Sequence, residues 1–192
     1  MNDDYYQQNA QRFYDDTVDV DMSALYAPFL AHLRPGARIL DAGCGSGRDT
    51  KAFSERGYEV EAFDASPALA ARARQLTGKP VAVIRFQELA AVGKYDGIWC
   101  CASLLHVPEN ALPEVMTRLA RALKPGGVWY LSFKYGRGER EKDGRRFTDM
   151  DEASLRNIVA GSDVEIERVW LTGDARPGRE AERWLNGLLV RA

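Results

Sequence analysis

Short apolar runs alternate with helical patterns along most of the chain. The runs have the length of strands, and they lie at residues 37–41, 58–63, 81–86, 95–102 and 128–135. Helical patterns separate several of them, at residues 46–56, 66–77 and 112–123. This alternation is typical of βαβ units, in which successive strands lie parallel in one sheet.

The chain after residue 135 is less regular. The charged segment 136–146 has no apolar periodicity, which predicts a mobile surface loop. Asp149 and Glu152 resemble a capping box, with aspartate in place of serine or threonine. They would start a helix that buries Leu155, Ile158 and Val159.

Residues 164–171 and 184–190 are expected to form the sixth and seventh strands, as an antiparallel pair at the end of the sheet. The predicted fold is therefore α/β. It consists of a doubly wound, mainly parallel sheet of seven strands with helices on both faces, and its last strand is antiparallel.

Residues 1–34 precede the first strand and contain many aromatic and polar side chains. A helix is expected at residues 23–33, where Pro28 either kinks it or marks its first turn. We treat residues 1–34 as a helical lid or cap on a single Rossmann-like domain at residues 35–192. An amphipathic helix that simply packs on that domain is the alternative.

Composition agrees with one globular domain. The chain has 192 residues, of which 45% are hydrophobic and 28% charged, and its net charge of −2 gives no general attraction for nucleic acid. No apolar stretch of about 18 residues exists, and the start, MNDDYYQQNAQR, does not resemble a leader. We therefore expect no membrane segment and a cytoplasmic protein.

The three cysteines predict neither a disulfide framework nor a metal site. Their number is odd, Cys100 and Cys101 are adjacent, and no CxxC spacing occurs. We interpret the adjacent pair as small buried hydrophobic residues. Cys44 is either a reactive thiol or a small residue that fills space between two glycines.

The segment Asp41-Ala-Gly43-Cys-Gly45-Ser-Gly47 follows the first predicted strand and leads into a helix. It therefore lies at the carboxyl edge of the sheet, where doubly wound folds bind ligands. Its spacing is not the dinucleotide pattern G-x-G-x-x-G, because Arg48 stands where the last glycine would be, and no P-loop G-K-[ST] follows. The aspartate before the glycines would repel a pyrophosphate but attract a cationic amino-acid ligand.

Asp64 ends the second predicted strand, 21 residues after Gly43. An acidic side chain at this point can accept hydrogen bonds from both hydroxyls of a ribose. A turn or cap residue before Ser66-Pro67 is the alternative interpretation. For Asp41, the corresponding alternative is a turn residue at the end of the first strand.

Four segments together resemble the class I S-adenosylmethionine-dependent methyltransferases: ILDAGCGSGRDT, Asp64, YDGIWCCASLLHV and LKPGG. The resemblance implies that the glycine loop approaches the methionine part of the cofactor and that Asp64 holds its ribose. It also implies that the segment after the third strand lies along the adenine. The cofactor-binding residues that it implies are Asp41, Gly43, Cys44, Gly45, Gly47, Asp64, Ala65, Phe86, Gln87, Glu88, Leu89 and Cys101.

The adenine segment departs from the family pattern. Many members have an aspartate early in this segment, whereas Arg85 stands at that place here. Gln87 and Glu88 are then the candidates for contact with the adenine amine. Phe86 either packs on the adenine or belongs to the core.

His106, at the end of CASLLHVP, is the candidate catalytic residue, because the resemblance places this segment beside the cofactor. Its imidazole could act as a base or contact the substrate; a packing histidine at a helix start is the alternative. Enzymes that methylate the amines of nucleic-acid bases usually have [N/D]-P-P-[Y/F] here. This chain has Cys101-Ala-Ser-Leu104 instead, so nucleic acid is a disfavoured partner.

Basic side chains follow the fifth strand, where acceptor-binding loops lie in the resembled family. They would bind a carboxylate or phosphate, and a solvated loop of balanced charge is the alternative. The candidate acceptor-binding residues are Tyr6, Tyr14, His106, Lys134, Arg137 and Arg146. A second polar cluster could close over the same face, formed by Arg176, Arg179 and Glu180.

The sequence therefore predicts an enzyme, monomeric or homodimeric, that uses S-adenosylmethionine to methylate an O, N or S atom of a small molecule. The basic loop would allow this acceptor to be anionic. A methyltransferase for protein or tRNA and a non-catalytic regulator that binds S-adenosylmethionine are the alternatives. A nicotinamide oxidoreductase is disfavoured by Arg48.

Overall fold

The computed structural model describes residues 2–179 and 181–192, and a seven-stranded sheet forms its centre. The strands are β1 (Arg38–Ala42), β2 (Glu59–Asp64), β3 (Val81–Val83), β4 (Tyr95–Cys100), β5 (Leu123–Lys134), β6 (Gly138–Lys142), β7 (Arg145–Asp149), β8 (Val164–Gly173) and β9 (Arg183–Arg191). The helices are α1 (Asn2–Gln8), α2 (Ala10–Thr17), α3 (Ser23–Leu30), α4 (Arg48–Glu55), α5 (Pro67–Thr77), α6 (Leu112–Ala122) and α7 (Glu152–Val159).

The strands of the sheet have the order β3-β2-β1-β4-β5-β9-β8. Pairing from β3 to β5 is parallel, whereas β9 runs antiparallel to both β5 and β8. This confirms the predicted doubly wound fold of seven strands with its antiparallel last strand. The order reverses between β1 and β4, and a reversal of this kind leaves a crevice at the carboxyl edge of the sheet.

Helices cover both faces of the sheet, as predicted. On one face Trp99 stacks on Tyr130 with ring centroids 4.0 Å apart, and Phe29 of α3 lies 5.1 Å from Trp99. On the other face the apolar stripe of α6 is buried together with Leu155 of α7. Because α3 contributes to the core, this part of residues 1–34 is not a detached lid. The domain boundary at residue 35 stays a prediction.

The charged segment 136–146 is not the mobile loop that the sequence analysis predicted. Most of it belongs to a hairpin in which β6 and β7 pair antiparallel along their whole length. Asp143 and Gly144 form the turn, with φ of 52° and 72°. A type I′ turn requires positive φ at both positions, and Asp-Gly is a common sequence for it. Apolar periodicity did not predict the hairpin, because the hairpin buries a single apolar side chain, that of Phe147.

The predicted capping box at the start of α7 is also wrong. Asp151 is the N-cap, and its side chain accepts a hydrogen bond from Ser154 N at 2.8 Å. Asp149 lies at the end of β7, where its carboxylate binds Arg140 at 2.6 Å. The two aspartates are only two residues apart, so sequence spacing alone did not separate their roles.

Two further details differ from the expected boundaries. β3 ends at Val83 and not at residue 86, because Phe86–Glu88 form a 3-10 turn. Pro28 lies inside α3, beyond its first turn. The shortened β3 leaves residues 84–88 outside the sheet, beside the crevice.

Gly47 ends the glycine loop and lies where α4 packs against α5. Its φ is +83°, and a Cβ at this position would be 2.9 Å from Ala73 Cα. We therefore expect Gly47→Ala to lower the free energy of unfolding by about 2–4 kcal/mol. Gly57→Ala is the matched control. Gly57 has φ of +87°, and a Cβ added there would have no described atom within 4 Å. This substitution should lower the free energy of unfolding by about 1 kcal/mol. If urea denaturation gave the same loss of unfolding free energy for both variants, the contact with Ala73 would have no effect.

Candidate functional site

Two adjoining cavities open at the carboxyl edge of the sheet. The first, of about 390 Å³, lies between the glycine loop, the ends of β2 and β3 and the segment after β4. The second, of about 430 Å³, lies between the glycine loop, β5, the β6–β7 hairpin and the segment from β8 to β9. Where they meet, both are lined by Tyr6, Phe13, Gly43, Gly45, Ala102 and His106.

The glycine loop presents its backbone to both cavities. A Cβ at Gly43 would lie 2.6 Å from the Cβ of Ser103, and a Cβ at Gly45 would lie 3.0 Å from the ring of Phe13. Larger residues would therefore collide with the segment after β4 and with α2. The loop brings backbone atoms to the cavity surface where a side chain would hold a ligand away.

Asp64, at the end of β2, lies in the first cavity beside this loop. Its Oδ2 accepts a hydrogen bond from Gly45 N at 2.9 Å, and its Oδ1 accepts one from Ser66 N at 2.8 Å. These two contacts fix the orientation of the carboxylate. Since each carboxylate oxygen can accept more than one hydrogen bond, the position suits a ligand with paired hydroxyl groups.

The segment after β3 contributes part of its predicted residues to the first cavity. From this segment Phe86 and Gln87 line the cavity, and Ala65, which follows β2, lines it too. Phe86 also packs edge-on against Phe63, with ring centroids 5.2 Å apart. Glu88 does not line the cavity and accepts a hydrogen bond from Arg85 N at 2.7 Å, whereas Leu89 is buried in the core. Their predicted contacts with the cofactor are therefore not supported by this arrangement.

Asp41 and Gly47 lie outside both cavities, behind the glycine loop. The carboxyl of Asp41 is buried and accepts a hydrogen bond from Thr50 at 2.6 Å. Burial and the negative charge of Asp49 raise the pKa of Asp41, so that its neutral form is favoured. A neutral carboxyl lacks the charge that was expected to attract a cationic ligand. The role of Asp41 in binding stays a prediction.

Asp49 of α4 was not singled out from the sequence, yet it organises the floor of the second cavity. It accepts hydrogen bonds from Tyr26 at 2.5 Å and from Trp99 Nε1 at 2.8 Å, and it forms an ion pair with Arg48 at 2.7 Å. Burial opposes its ionisation, but Arg48 and these hydrogen bonds hold the pKa of Asp49 below its ordinary value. The charge of Arg48 is therefore already balanced.

His106 and Tyr6 form a hydrogen-bonded pair at the junction of the cavities. The hydroxyl of Tyr6 lies 2.7 Å from His106 Nε2, and His106 Nδ1 lies 3.3 Å from the carbonyl oxygen of Arg146. A carbonyl oxygen only accepts, so we assign the ring proton to Nδ1, and Tyr6 then donates to Nε2. The amide nitrogen of Asn2 lies 3.2 Å from Nδ1, but it donates instead to the same carbonyl oxygen of Arg146, at 2.9 Å. The N-terminal helix α1 thus holds both sides of the imidazole.

The pKa of His106 is lowered to about 4, mainly by burial and further by the positive charges of Arg145 and Lys134. An unfolded histidine titrates near 6.5. Between these values the unfolded chain binds more protons, so we expect the free energy of unfolding to fall as the pH is lowered from about 6.5 to 4. His106→Gln should remove this part of the slope in urea denaturation. Parallel pH profiles for the two proteins would contradict the assignment.

Four of the predicted acceptor-binding residues line the cavities, and two do not. Those at the second cavity are Tyr6, His106 and Lys134, and Arg146 lines the first. Tyr14 lies outside both, with the guanidinium of Arg72 5.7 Å from its ring centre. Arg137 is also outside, because its side chain is 72% exposed and pairs with Asp151.

Several cavity residues were missed by the sequence analysis. In the first cavity these include Asn2, Phe13 and Ser103, and in the second Trp184 and Asn186, whereas Arg145 was among the basic residues expected after the fifth strand. Of the second polar cluster, Arg176 and Arg179 line the second cavity, and Glu180 lies outside the described residues. The Asp-Gly turn could have indicated the hairpin that brings Arg145 to the site.

Cys44 and Cys101 both line the second cavity. Burial raises the pKa of the Cys44 thiol well above its ordinary value and that of Cys101 to about 12. A thiol with a raised pKa is a poor nucleophile. The raised pKa values favour the interpretation of both residues as small side chains in the cavity wall over that of a reactive thiol.

The strand order, the antiparallel last strand and the glycine loop after β1 are those of the class I methyltransferase fold. The chain belongs to the methyltransferase domain family, because the sequence profile of that family matches residues 8–163. In the described part of the chain, none of the helices has the length and apolar character needed to cross a membrane.

Two similar proteins are named ubiquinone biosynthesis O-methyltransferase. That of Xanthomonas campestris pv. campestris is 38% identical over 105 residues, which cover 51% of this chain and 43% of the relative. That of Dechloromonas aromatica is 38% identical over 104 residues, which cover 50% and 44%. The match thus spans less than half of each relative.

Solved structures share the fold over nearly the whole chain. The 1,6-didemethyltoxoflavin N1-methyltransferase of Burkholderia thailandensis, with bound 1,6-didemethyltoxoflavin and S-adenosylhomocysteine, has a TM-score of 0.81 and 23% identity, and covers 99% of this chain and 87% of that one. The magnesium protoporphyrin IX methyltransferase of Synechocystis PCC 6803, with bound S-adenosylmethionine, has a TM-score of 0.75 and 20% identity, and covers 98% and 94%.

Proposed function

We propose that the protein binds S-adenosylmethionine in the first cavity and transfers its methyl group to a small molecule in the second. The observation that carries this proposal is the junction of the two cavities, whose shared wall includes Tyr6, Gly43 and His106. Transfer at such a junction needs no passage through bulk water. The O-methyltransferase names of the relatives support the same reaction class.

The residues of the first cavity fit this cofactor. Asp64 is oriented to accept hydrogen bonds from the ribose hydroxyls. Ile84 and Phe86 offer apolar surface to the adenine. The rings of Tyr6 and Phe13, 5.2 Å apart at the junction, suit a sulfonium because aromatic faces attract cations.

When bound, S-adenosylmethionine supplies an electrophilic methyl group. The chain must hold the acceptor in line with that methyl group and exclude water. Tyr6 is suited to this task, because its proton is donated to His106 and its oxygen remains able to accept a hydrogen bond from the acceptor. His106, with a pKa of about 4, is a weak base at neutral pH. We therefore assign it to positioning Tyr6, and any proton on the acceptor atom leaves to water.

The second cavity favours a small acceptor over the alternatives. Its walls include the side chains of Tyr130 and Trp184 together with the hairpin, and its volume is about 430 Å³. A protein that only binds the cofactor has no need of this adjoining space, and a protein or tRNA acceptor would need a broader face. A cytoplasmic location and a monomeric or homodimeric state stay predictions from the sequence.

The test begins with calorimetry on S-adenosylmethionine, S-adenosylhomocysteine and NAD. We expect micromolar binding of the first two, about −8 kcal/mol, and no binding of NAD. A screen of metabolite fractions for production of S-adenosylhomocysteine, followed by mass measurement of the methylated product, then identifies acceptors. Failure to bind the cofactor, or preference for NAD, would overturn the proposal.

A further inference from the structure

The second cavity has an excess of positive charge among the described residues. Six basic side chains line it, and four carboxylates. Three of the carboxylates are engaged in close ion pairs, namely Asp49 with Arg48, Glu182 with Lys134 and Asp174 with Arg176. The basic side chains outside these close pairs are Lys142, Arg145 and Arg179, of which Arg179 lies 3.8 Å from Glu182. Two of these belong to the β6–β7 hairpin.

Among these basic groups, Arg145 is packed against aromatic rings. Its guanidinium lies 4.6 Å from the ring centre of Tyr5 and 5.1 Å from that of Phe147, so that two aromatic rings hold it. The carboxylate of Asp143 is 66% exposed and lies 3.9 Å away, which is a weak pairing. The Nε of Arg145 is buried and has no hydrogen-bond partner among the residues that the structure describes. A buried donor without a partner is costly, and an anionic ligand would satisfy it.

Five aromatic side chains form part of the remaining wall of the cavity. Tyr6, Phe13, Tyr130, Phe147 and Trp184 all line it. Trp184 is fixed by a hydrogen bond from its Nε1 to Asp174 at 3.1 Å. Flat, rigid walls of this kind favour a planar ring, which stacks on aromatic faces or packs against their edges.

The charges around the Tyr6–His106 pair also favour an anionic ligand. The positive charges of Arg145 and Lys134 add to burial in lowering the pKa of His106. The same charges stabilise an anion placed near the junction. An acidic group of the acceptor would therefore stay ionised in this cavity.

We infer that the second cavity binds an aromatic or heteroaromatic acid, whose carboxylate is held by the guanidinium of Arg145 while its ring packs on Phe147 and Trp184. This inference rests on the proposed function, since it names the class of acceptor for the same site. Arg145 presents planar, fork-like donors that match a carboxylate. Lys142, on the opposite strand of the hairpin, adds a second positive charge.

The experiment compares acids with their neutral counterparts. Salicylate, 4-hydroxybenzoate, 3,4-dihydroxybenzoate and nicotinate are each paired with the corresponding carboxamide. Transfer of label from methyl-labelled S-adenosylmethionine is measured, and so is binding to the protein saturated with S-adenosylhomocysteine. We expect at least one acid to bind and accept methyl, with kcat/KM at least 10-fold above that of its amide.

Arg145→Gln should lower kcat/KM for the accepted acid about 10- to 100-fold and lower that for the amide much less. Arg156→Gln is the matched control, because it also removes one positive charge but at an exposed position of α7. It should leave kcat/KM for both the acid and the amide unchanged. Because Arg145 also packs on two rings, Lys142→Gln provides a second variant at the tip of the hairpin. It should lower kcat/KM for the acid several-fold without disturbing that packing.

Three results would overturn the inference: amides that bind and react as well as acids, a preference for acids that survives in both hairpin variants, or no binding of any acid. The proposed function has its own readout, which is binding of S-adenosylhomocysteine in calorimetry. If this binding persists while the acids fail, the inference is wrong and the function stands. If it is absent, the proposed function itself has failed.

Discussion

Asp64→Ala should weaken the binding of S-adenosylmethionine by about 100-fold or more. Two hydrogen bonds from ribose hydroxyls to a carboxylate would be lost, and each bond to a charged group contributes about 1.5–3 kcal/mol. The side chain also holds Gly45 N and Ser66 N, so its removal would loosen the glycine loop beside the ligand. Calorimetry with S-adenosylmethionine and with S-adenosylhomocysteine measures the loss.

Asp96→Ala is the matched control for this experiment. Asp96 also accepts a hydrogen bond from a backbone N–H, that of Arg38 at 2.8 Å, and it pairs with Lys124 at 2.8 Å. It lies near the start of β4, at the opposite edge of the sheet from both cavities. Its variant should bind the cofactor as the unmodified protein does. An unchanged affinity of Asp64→Ala would remove Asp64 from the site.

Asp49→Asn should have the largest effect on stability. The substitution keeps the shape of the side chain but leaves the charge of Arg48 buried without its partner, at 18% side-chain exposure. Loss of one partner of a buried ion pair costs about 3–5 kcal/mol. The hydrogen bonds from Tyr26 and Trp99 join helix α3 and strand β4 to the same carboxylate, so their weakening adds to the loss.

Urea denaturation followed by circular dichroism measures this change. Glu55→Gln removes a carboxylate from the other end of the same helix, where Glu55 is 64% exposed and 3.9 Å from Lys51. Such exposed pairs contribute about 0–1 kcal/mol. The two variants therefore separate a buried charge from an exposed one. A loss at Asp49 no larger than that at Glu55 would mean that Arg48 reaches solvent when its partner is gone.

The sequence was sufficient to predict the parallel part of the sheet. Strands buried on both faces are continuous apolar runs, and the turns after them contain glycine or proline, so β1, β2, β4 and β5 were found near their true positions. The β6–β7 hairpin was not predicted, because its two strands carry charged residues on both faces. The Asp143-Gly144 turn is the one local sequence signal for it.

The candidate site was predictable only where it lies close to one motif. Gly43, Gly45 and Asp64 follow strand ends, and their place at one edge follows from topology. The network of Asp49 depends on Tyr26 and Trp99, which are 23 and 50 residues away in the chain. A local sequence pattern does not predict contacts between residues so far apart, because these contacts form only when α3 packs on the sheet.

The contact of α1 with the rest of the site was likewise invisible in the sequence. The side chain of Asn2 pairs with the backbone N and O of Arg146, at 2.7 and 2.9 Å, across 144 residues of chain. Tyr6 was named as an acceptor contact because it is aromatic. Its hydrogen bond to His106, which decides its chemical role, forms only when α1 packs against the segment that follows β4.

The position of β9 has a consequence for how the protein is made. Although β9 follows β8 in the chain, it lies inside the sheet, with β5 on one side and β8 on the other. While the chain emerges from the ribosome, β8 has no strand to join until residues 183–191 have been synthesised. Trp184 and Asn186, which line the second cavity, belong to those residues. The residues of the first cavity are therefore all synthesised before the wall of the second cavity is complete.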